Sequence, residues 1–181
     1  MNRAPALQSE CLYLSWESPW PTHSGAALRS WGLLNELSKA YSVDIILLTR
    51  HPLTRYQEQA LARVTRTITR LPLPDTTRWS KARIILEMIR RRYPYHSALL
   101  EIALQDHDDI RHKILQFPGI VFTNMGHWGT LVFDRYSPNW ILNQCDADVD
   151  LWRVYADQAT HPLTRLAARI NYRLAYRHYP R

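Results

Sequence analysis

The chain has 181 residues, 46% of them hydrophobic and 22% charged, which excludes a disordered polypeptide and suits one folded domain better than two. The formal charge is +7, yet Gln158 to Arg181 holds five of the 20 arginines and no acid, leaving only +2 for everything before it. Local basic patches, not a uniform basic field, are what the charge predicts. No run of about 18 apolar residues occurs, and the apolar stretch in MNRAPALQSECLYLSW is too short for a signal peptide. A cytoplasmic location is therefore expected.

In chain order, CLYLSW (11–16) is a short apolar run of the buried-strand kind. From Ser24, the positions Ala27, Trp31, Leu34, Leu37 and Tyr41 recur every three to four residues, a helical face. VDIILLT (43–49) reads as a strand covered on both sides. A helix-like stretch at Tyr56–Thr65 follows, then an extended ITRLPLP (68–74) and a basic amphipathic helix near 79–92. A further helix over about 105–116 leads to GIVFTN (119–124), a buried strand, and WILNQCDAD (140–148) reads as another. The remainder is helical apart from Pro162. Strands alternating with helices predict an α/β fold, a Rossmann-like parallel sheet flanked by helices. Ligands of such sheets gather at the carboxyl ends of the strands, here the loops after Trp16, Thr49, Asn124 and Asp148.

Those loops hold the candidate site residues. Ser24 can cap the first helix, Gly25 allows close backbone approach, and the first-turn N–H groups form an anion seat that Arg29 can complete. The competing reading is an ordinary helix cap. Neither G-x-G-x-x-G nor G-x-x-x-x-G-K-[ST] occurs, so a dinucleotide or P-loop site is not supported. In FTNMGHWGT (122–130), Asn124 and His127 end a central strand, where the histidine suits hydrogen bonding to a hydroxyl or proton transfer. Asp146, Asp148 and Asp150 alternate without the glycine and glutamate of a calcium loop. Helix capping explains Asp148 or Asp150, and Asp146 is the acid left to face the cleft. The histidines show no metal-ligand spacing, and Cys11 and Cys145, both in strand-like segments, read as buried thiols and make no zinc site or disulfide framework. Arg165, Arg169, Arg173, Arg177 and Arg181 step by four along the last helix, a slanted stripe with no compensating acid. A solvated face is the plain reading, and an anionic partner (membrane surface, nucleic acid or another protein surface) the functional one.

The run from Pro21 through Gly25 and Arg29, then ALRSWGLLNELSKAYSVDIILLT, resembles the start of GT-B-type retaining glycosyltransferases, with its P-x-x-x-G-G-x-x-R pattern. GIVFTNMGHWGTLVF and WILNQCDADVDLWRVYA are similar to later strands of that group, which includes phosphatidylinositol mannosyltransferases and exopolysaccharide glycosyltransferases. Ser24 stands where many members have a second glycine. The resemblance implies that residues 1–160 form a Rossmann-like acceptor-side domain, one half of a GT-B architecture. Residues 161–181 would be a basic helix preceding an absent donor-binding domain, whose paired glutamates eight positions apart do not occur here. It further implies Gly25 as phosphate-loop glycine and His127 as the catalytic histidine that positions the transferred sugar.

The expectation is then transfer of a sugar from a nucleotide-sugar donor to a glycan or glycolipid acceptor, without metal or resident cofactor. The chain alone is expected to be inactive, its donor domain supplied in trans or lost, and its location cytoplasmic, peripheral to the inner membrane face. Nucleic acid is not the expected partner. The alternative is a non-catalytic basic α/β module that docks on a membrane surface, nucleic acid or a partner protein.

Overall fold

Successive side chains of a strand point to opposite faces, so a continuous apolar run needs cover on both. The first two strand-like runs receive it. A computed structural model describes residues 9–74, 77–124, 128, 139–143 and 148–178. It forms one parallel sheet from β1 (Glu10–Ser15), β2 (Ser42–Thr49), β3 (Thr67–Pro72), β4 (Ile120–Thr123) and β5 (Trp140–Leu142). The strand order is β3-β2-β1-β4-β5, a Rossmann-like α/β arrangement. The order reverses between β1 and β4, so a switch-point crevice lies at their carboxyl ends.

Cys11, Tyr13, Val43, Ile45 and Leu47 face one side, under Leu34 of α1 (Gly25–Ala40) and Leu61 of α2 (Arg55–Leu61). Leu12, Leu14, Ile46 and Leu48 face the other, under Leu100 and Leu104 of α4 (Tyr95–Gln105) and Ile110 and Ile114 of α5 (Asp108–Leu115). A third layer, α3 (Arg78–Arg91), lies on the outside of α4, where Ile84 meets Ala98, Leu99 and Ile102. The chain closes with α6 (Asp148–Gln158) and α7 (Pro162–His178), packed on each other.

Helix α4 is the element that sequence patterning missed. Sandwiched between the sheet and α3, it is buried at every position from Ser97 to Leu104. A helix covered all round has no polar face, so YHSALLEIALQ shows no helical period. Its one acid, Glu101, is buried and paired with Arg91 of α3 at 3.1 Å and Arg111 of α5 at 3.0 Å. Pro94 provides no side-chain cap; instead the Tyr95 N–H donates to Asn171 Oδ1 of α7 at 2.8 Å. The last helix is thereby tied to the body.

Three other boundaries differ from expectation. The helix read as 105–116 begins at Asp108, after a break at Asp106 and His107. The helix read as Tyr56–Thr65 ends at Leu61. The strand read as 140–148 ends at Leu142, which moves Asn143 from strand interior to strand end.

Candidate functional site

Ser24 starts α1 with extended backbone, and its hydroxyl accepts from the Ala27 N–H at 3.0 Å. That bond satisfies one first-turn donor and leaves the N–H groups of Gly25 and Ala26 outside the intrahelical ladder. Gly25 is not there for an unusual backbone angle, since no glycine among the described residues has positive φ. Nor does crowding require it: among the described residues, a Cβ on Gly25 would meet nothing within 4 Å. Gly25 and Ala26 are both exposed.

Arg29, one turn along, is exposed and donates through Nη2 to Asn143 Oδ1 at 2.9 Å. Asn143 Nδ2 in turn donates to Asn124 Oδ1 at 3.2 Å. Backbone bonds fix both asparagines at strand ends, from Asn124 N to the Leu14 carbonyl and from Asn143 N to the Thr123 carbonyl. Arg29 and Asn124, singled out separately in sequence, are therefore joined across the switch point by a residue that sequence reading passed over. Asn143 was hidden by the overlong strand assigned to 140–148. A polar side chain directly after WIL was the signal that could have found it.

His127 and Asp146, the expected catalytic histidine and cleft-facing acid, lie outside the described residues, as does Cys145. Cys11 sits in β1, where burial and then the Asp44 charge push its thiol up to about 11, so it stays protonated and unreactive. His96 is half-enclosed by Trp16 and Trp152, with ring centroids 5.2 Å and 5.8 Å away, and burial pushes it down to about 4. It is neutral at physiological pH. Among the described residues no three His, Cys, Asp or Glu side chains gather as a metal-binding group.

Beside the switch point, at the carboxyl ends of β1, β2 and β3, lies a cleft of about 340 Å³. Trp16, Leu48, Leu53 and Leu73 supply its apolar surface, and Glu17, His23, Arg50 and His51 its ionisable groups. The loop from β1 to α1 lines one wall and ends at Ser24. It is held firmly: Ser18 Oγ donates to the Trp20 carbonyl at 2.7 Å, and Gln57 Nε2 reaches the same oxygen at 3.1 Å. The Trp20 ring packs on Trp31 and Tyr56 at 5.0 and 6.1 Å. The Trp20–Pro21 peptide is cis. Sequence reading named the loop after Thr49 but none of the cleft residues in it.

The arginine stripe divides. Arg165 donates through Nε and Nη2 to the Ala159 carbonyl at 3.0 and 2.8 Å, closing the turn between α6 and α7. Arg169, Arg173 and Arg177 are exposed. Arg181 lies outside the described residues. No helix among the described residues is long and apolar enough to cross a membrane.

Set against family models, curated proteins and solved structures, the chain gives no significant match to any of them.

Proposed function

We propose that these residues are the acceptor-side domain of a GT-B-type glycosyltransferase, working with a donor-binding domain on a glycan or glycolipid acceptor at the inner membrane face. The observation that carries the reading is the Arg29–Asn143–Asn124 chain beside the exposed N-terminus of α1. A diphosphate needs cationic and N–H donors converging on one point, in a place that backbone can approach closely. The guanidinium has five N–H donors and spends one on Asn143, so it is oriented without being used up. In such transfer the chemistry is positioning plus stabilisation of the leaving diphosphate, which is work for groups of this type. The neighbouring cleft, with Trp16 for stacking and Arg50, His23 and His51 for polar contacts, is where the acceptor fits. His127, four positions beyond the last residue of β4 in the sequence, remains the residue assigned to positioning the sugar.

Amide chemical-shift mapping with uridine diphosphate and then UDP-glucose tests this reading. The expected result is weak binding, with the largest shifts at Gly25, Ala26, Asn124 and Asn143. Arg29→Ala should weaken it about tenfold, the loss of one charge-assisted contact. Shifts confined to other surfaces, or none at millimolar ligand, would overturn it. Sugar transfer or donor hydrolysis by the chain alone would overturn the half-enzyme assignment.

A further inference from the structure

The third layer of the fold is built inside out. Helix α3 meets α4 through Ile84 and the partly buried Met88, but also through charged groups. Glu87 is buried and paired with Arg90 and Arg91 at 3.0 Å each, Arg91 reaches Glu101, and Arg83 pairs with Asp106 at 2.9 Å. The outward face carries the aliphatic residues: Ile85, Leu86 and Ile89 are 55%, 62% and 71% exposed. At roughly 100° per residue, these three and exposed Ala82 fill one sector of the helix surface. Exposed Lys81 and Arg90 flank it, and Arg92 ends the helix in the left-handed conformation. The acid of α3 points inward.

The same inversion recurs on α7, which packs against the start of α4 through Asn171. Its buried positions are small or polar, Ala168, Asn171 and Ala175. Leu163, Leu166 and Ile170 are left outside at 70%, 56% and 47% exposure, among Arg169, Arg173 and Arg177.

We propose that the outward face of α3, with the arginine-bearing face of α7 beside the same buried helix, is a docking surface for an anionic lipid bilayer. Ile85, Leu86 and Ile89 enter the acyl boundary, and Lys81, Arg90 and Arg92 meet the headgroups. An aliphatic strip bordered by cations with long, snorkelling stems is the makeup of a helix lying in the membrane interface. The charge decides between occupants. A second copy seated face to face would bring these cations against their own equivalents. An anionic surface attracts every one of them, by an amount that salt reduces. The strip also has no polar group to pair in a shaped protein pocket, whereas a fluid acyl boundary needs none. The inference shares with the proposed function only the membrane-peripheral location, and vesicle binding requires neither donor nor acceptor, so each can fail without the other.

The test is flotation of the purified chain with phosphatidylcholine vesicles, with and without phosphatidylglycerol, across a salt series. The chain should float with the anionic vesicles, less so as salt rises, and weakly with the neutral ones. The exposed-site triple variant Ile85→Gln/Leu86→Gln/Ile89→Gln should lose partitioning on the order of 100-fold at every salt concentration. Lys81→Gln/Arg92→Asn should lose binding mainly at low salt, with Asn suited to the left-handed position. Far-ultraviolet circular dichroism and thermal melts establish that both variants are folded. Failure of the native chain to float, or flotation unchanged by the triple variant, overturns the proposal. So does a dimer in sedimentation that the triple variant dissolves, because the face would then be covered by a second copy.

Discussion

The two ends of the sheet are both polar, and they use their polar groups in opposite ways. At the amino end, Asp44 on β2 is buried and accepts from Arg66 Nε at 3.0 Å, Arg66 Nη2 at 2.8 Å and Thr67 Oγ1 at 2.7 Å. Arg66 also holds Glu10 of β1, so one guanidinium clamps two strands. At the carboxyl end, Arg29 takes a single neutral partner among the described residues and stands exposed. A glycine marks each end. A Cβ on Gly119 would fall against the Glu10 backbone carbonyl, with Phe117 at 3.0 Å, whereas one on Gly25 would touch none of the described residues. The amino end is closed on itself, and its residues answer to the fold. Among the described residues the carboxyl end keeps donors in reserve, and that reserve is what the proposed diphosphate contact draws on.

Substitutions at the closed end should show the largest effects on stability. Gly119→Ala forces a methyl group onto backbone that cannot swing away, and about 3 kcal/mol of unfolding free energy should be lost in urea titration. Retention of native stability would show that β1 and β4 can separate locally, and that the closed end is softer than its contacts imply.

Asp44→Asn should come next, at about 2 kcal/mol, since it removes a charged bidentate acceptor and leaves Arg66 with a poorer partner. Burial pushes the Asp44 carboxyl up, but the hydrogen bonds from Arg66 and Thr67 and the guanidinium charge outweigh it and hold it below its ordinary value. A carboxyl lowered by folding adds stability that is complete above its unfolded pKa of about 3.9 and is lost as pH falls through the folded value. The native chain should therefore lose stability below about pH 4, and Asp44→Asn should flatten that acid limb. Parallel curves for the two proteins would remove Asp44 from the account.

Much of this architecture was legible in the sequence, because one-sided or fully two-sided burial leaves a period or a continuous run. The face of α1 and the VDIILLT strand were read that way, and the structure places both within a residue or two of expectation. Helix α4 was not, since a third layer covers what would have been its polar face. The parts of the site were legible separately: Ser24 and Gly25 as a helix start, Arg29 one turn on, Asn124 as a strand end. Their union was not. It depends on Asn143, 114 residues from Arg29, and on β5 stopping three residues after it starts. Long-range pairing of this sort leaves no local pattern. The exposed strip on α3 was legible in part. Its basic, amphipathic makeup was legible as that of an interfacial helix through Ile84, Ile85 and Met88, and the packing turns Ile84 and Met88 inward and leaves Ile85, Leu86 and Ile89 outside.

The smallest effect belongs to Gly25→Ala, and it separates fold from site most sharply. In a helix, alanine is favoured over glycine by up to about 1 kcal/mol, and none of the described residues stands where the new methyl would go. The variant should melt at the native temperature or slightly above. If a diphosphate sits against the first turn of α1, the same methyl lies between it and the Gly25 and Ala26 N–H groups. Uridine diphosphate binding should then weaken several-fold while stability holds or rises. A residue retained for the fold gives the opposite pattern, as Gly119 should. Gain in stability with unchanged binding would leave Ser24-Gly25 a plain helix cap, and the anion contact would rest on Arg29 alone.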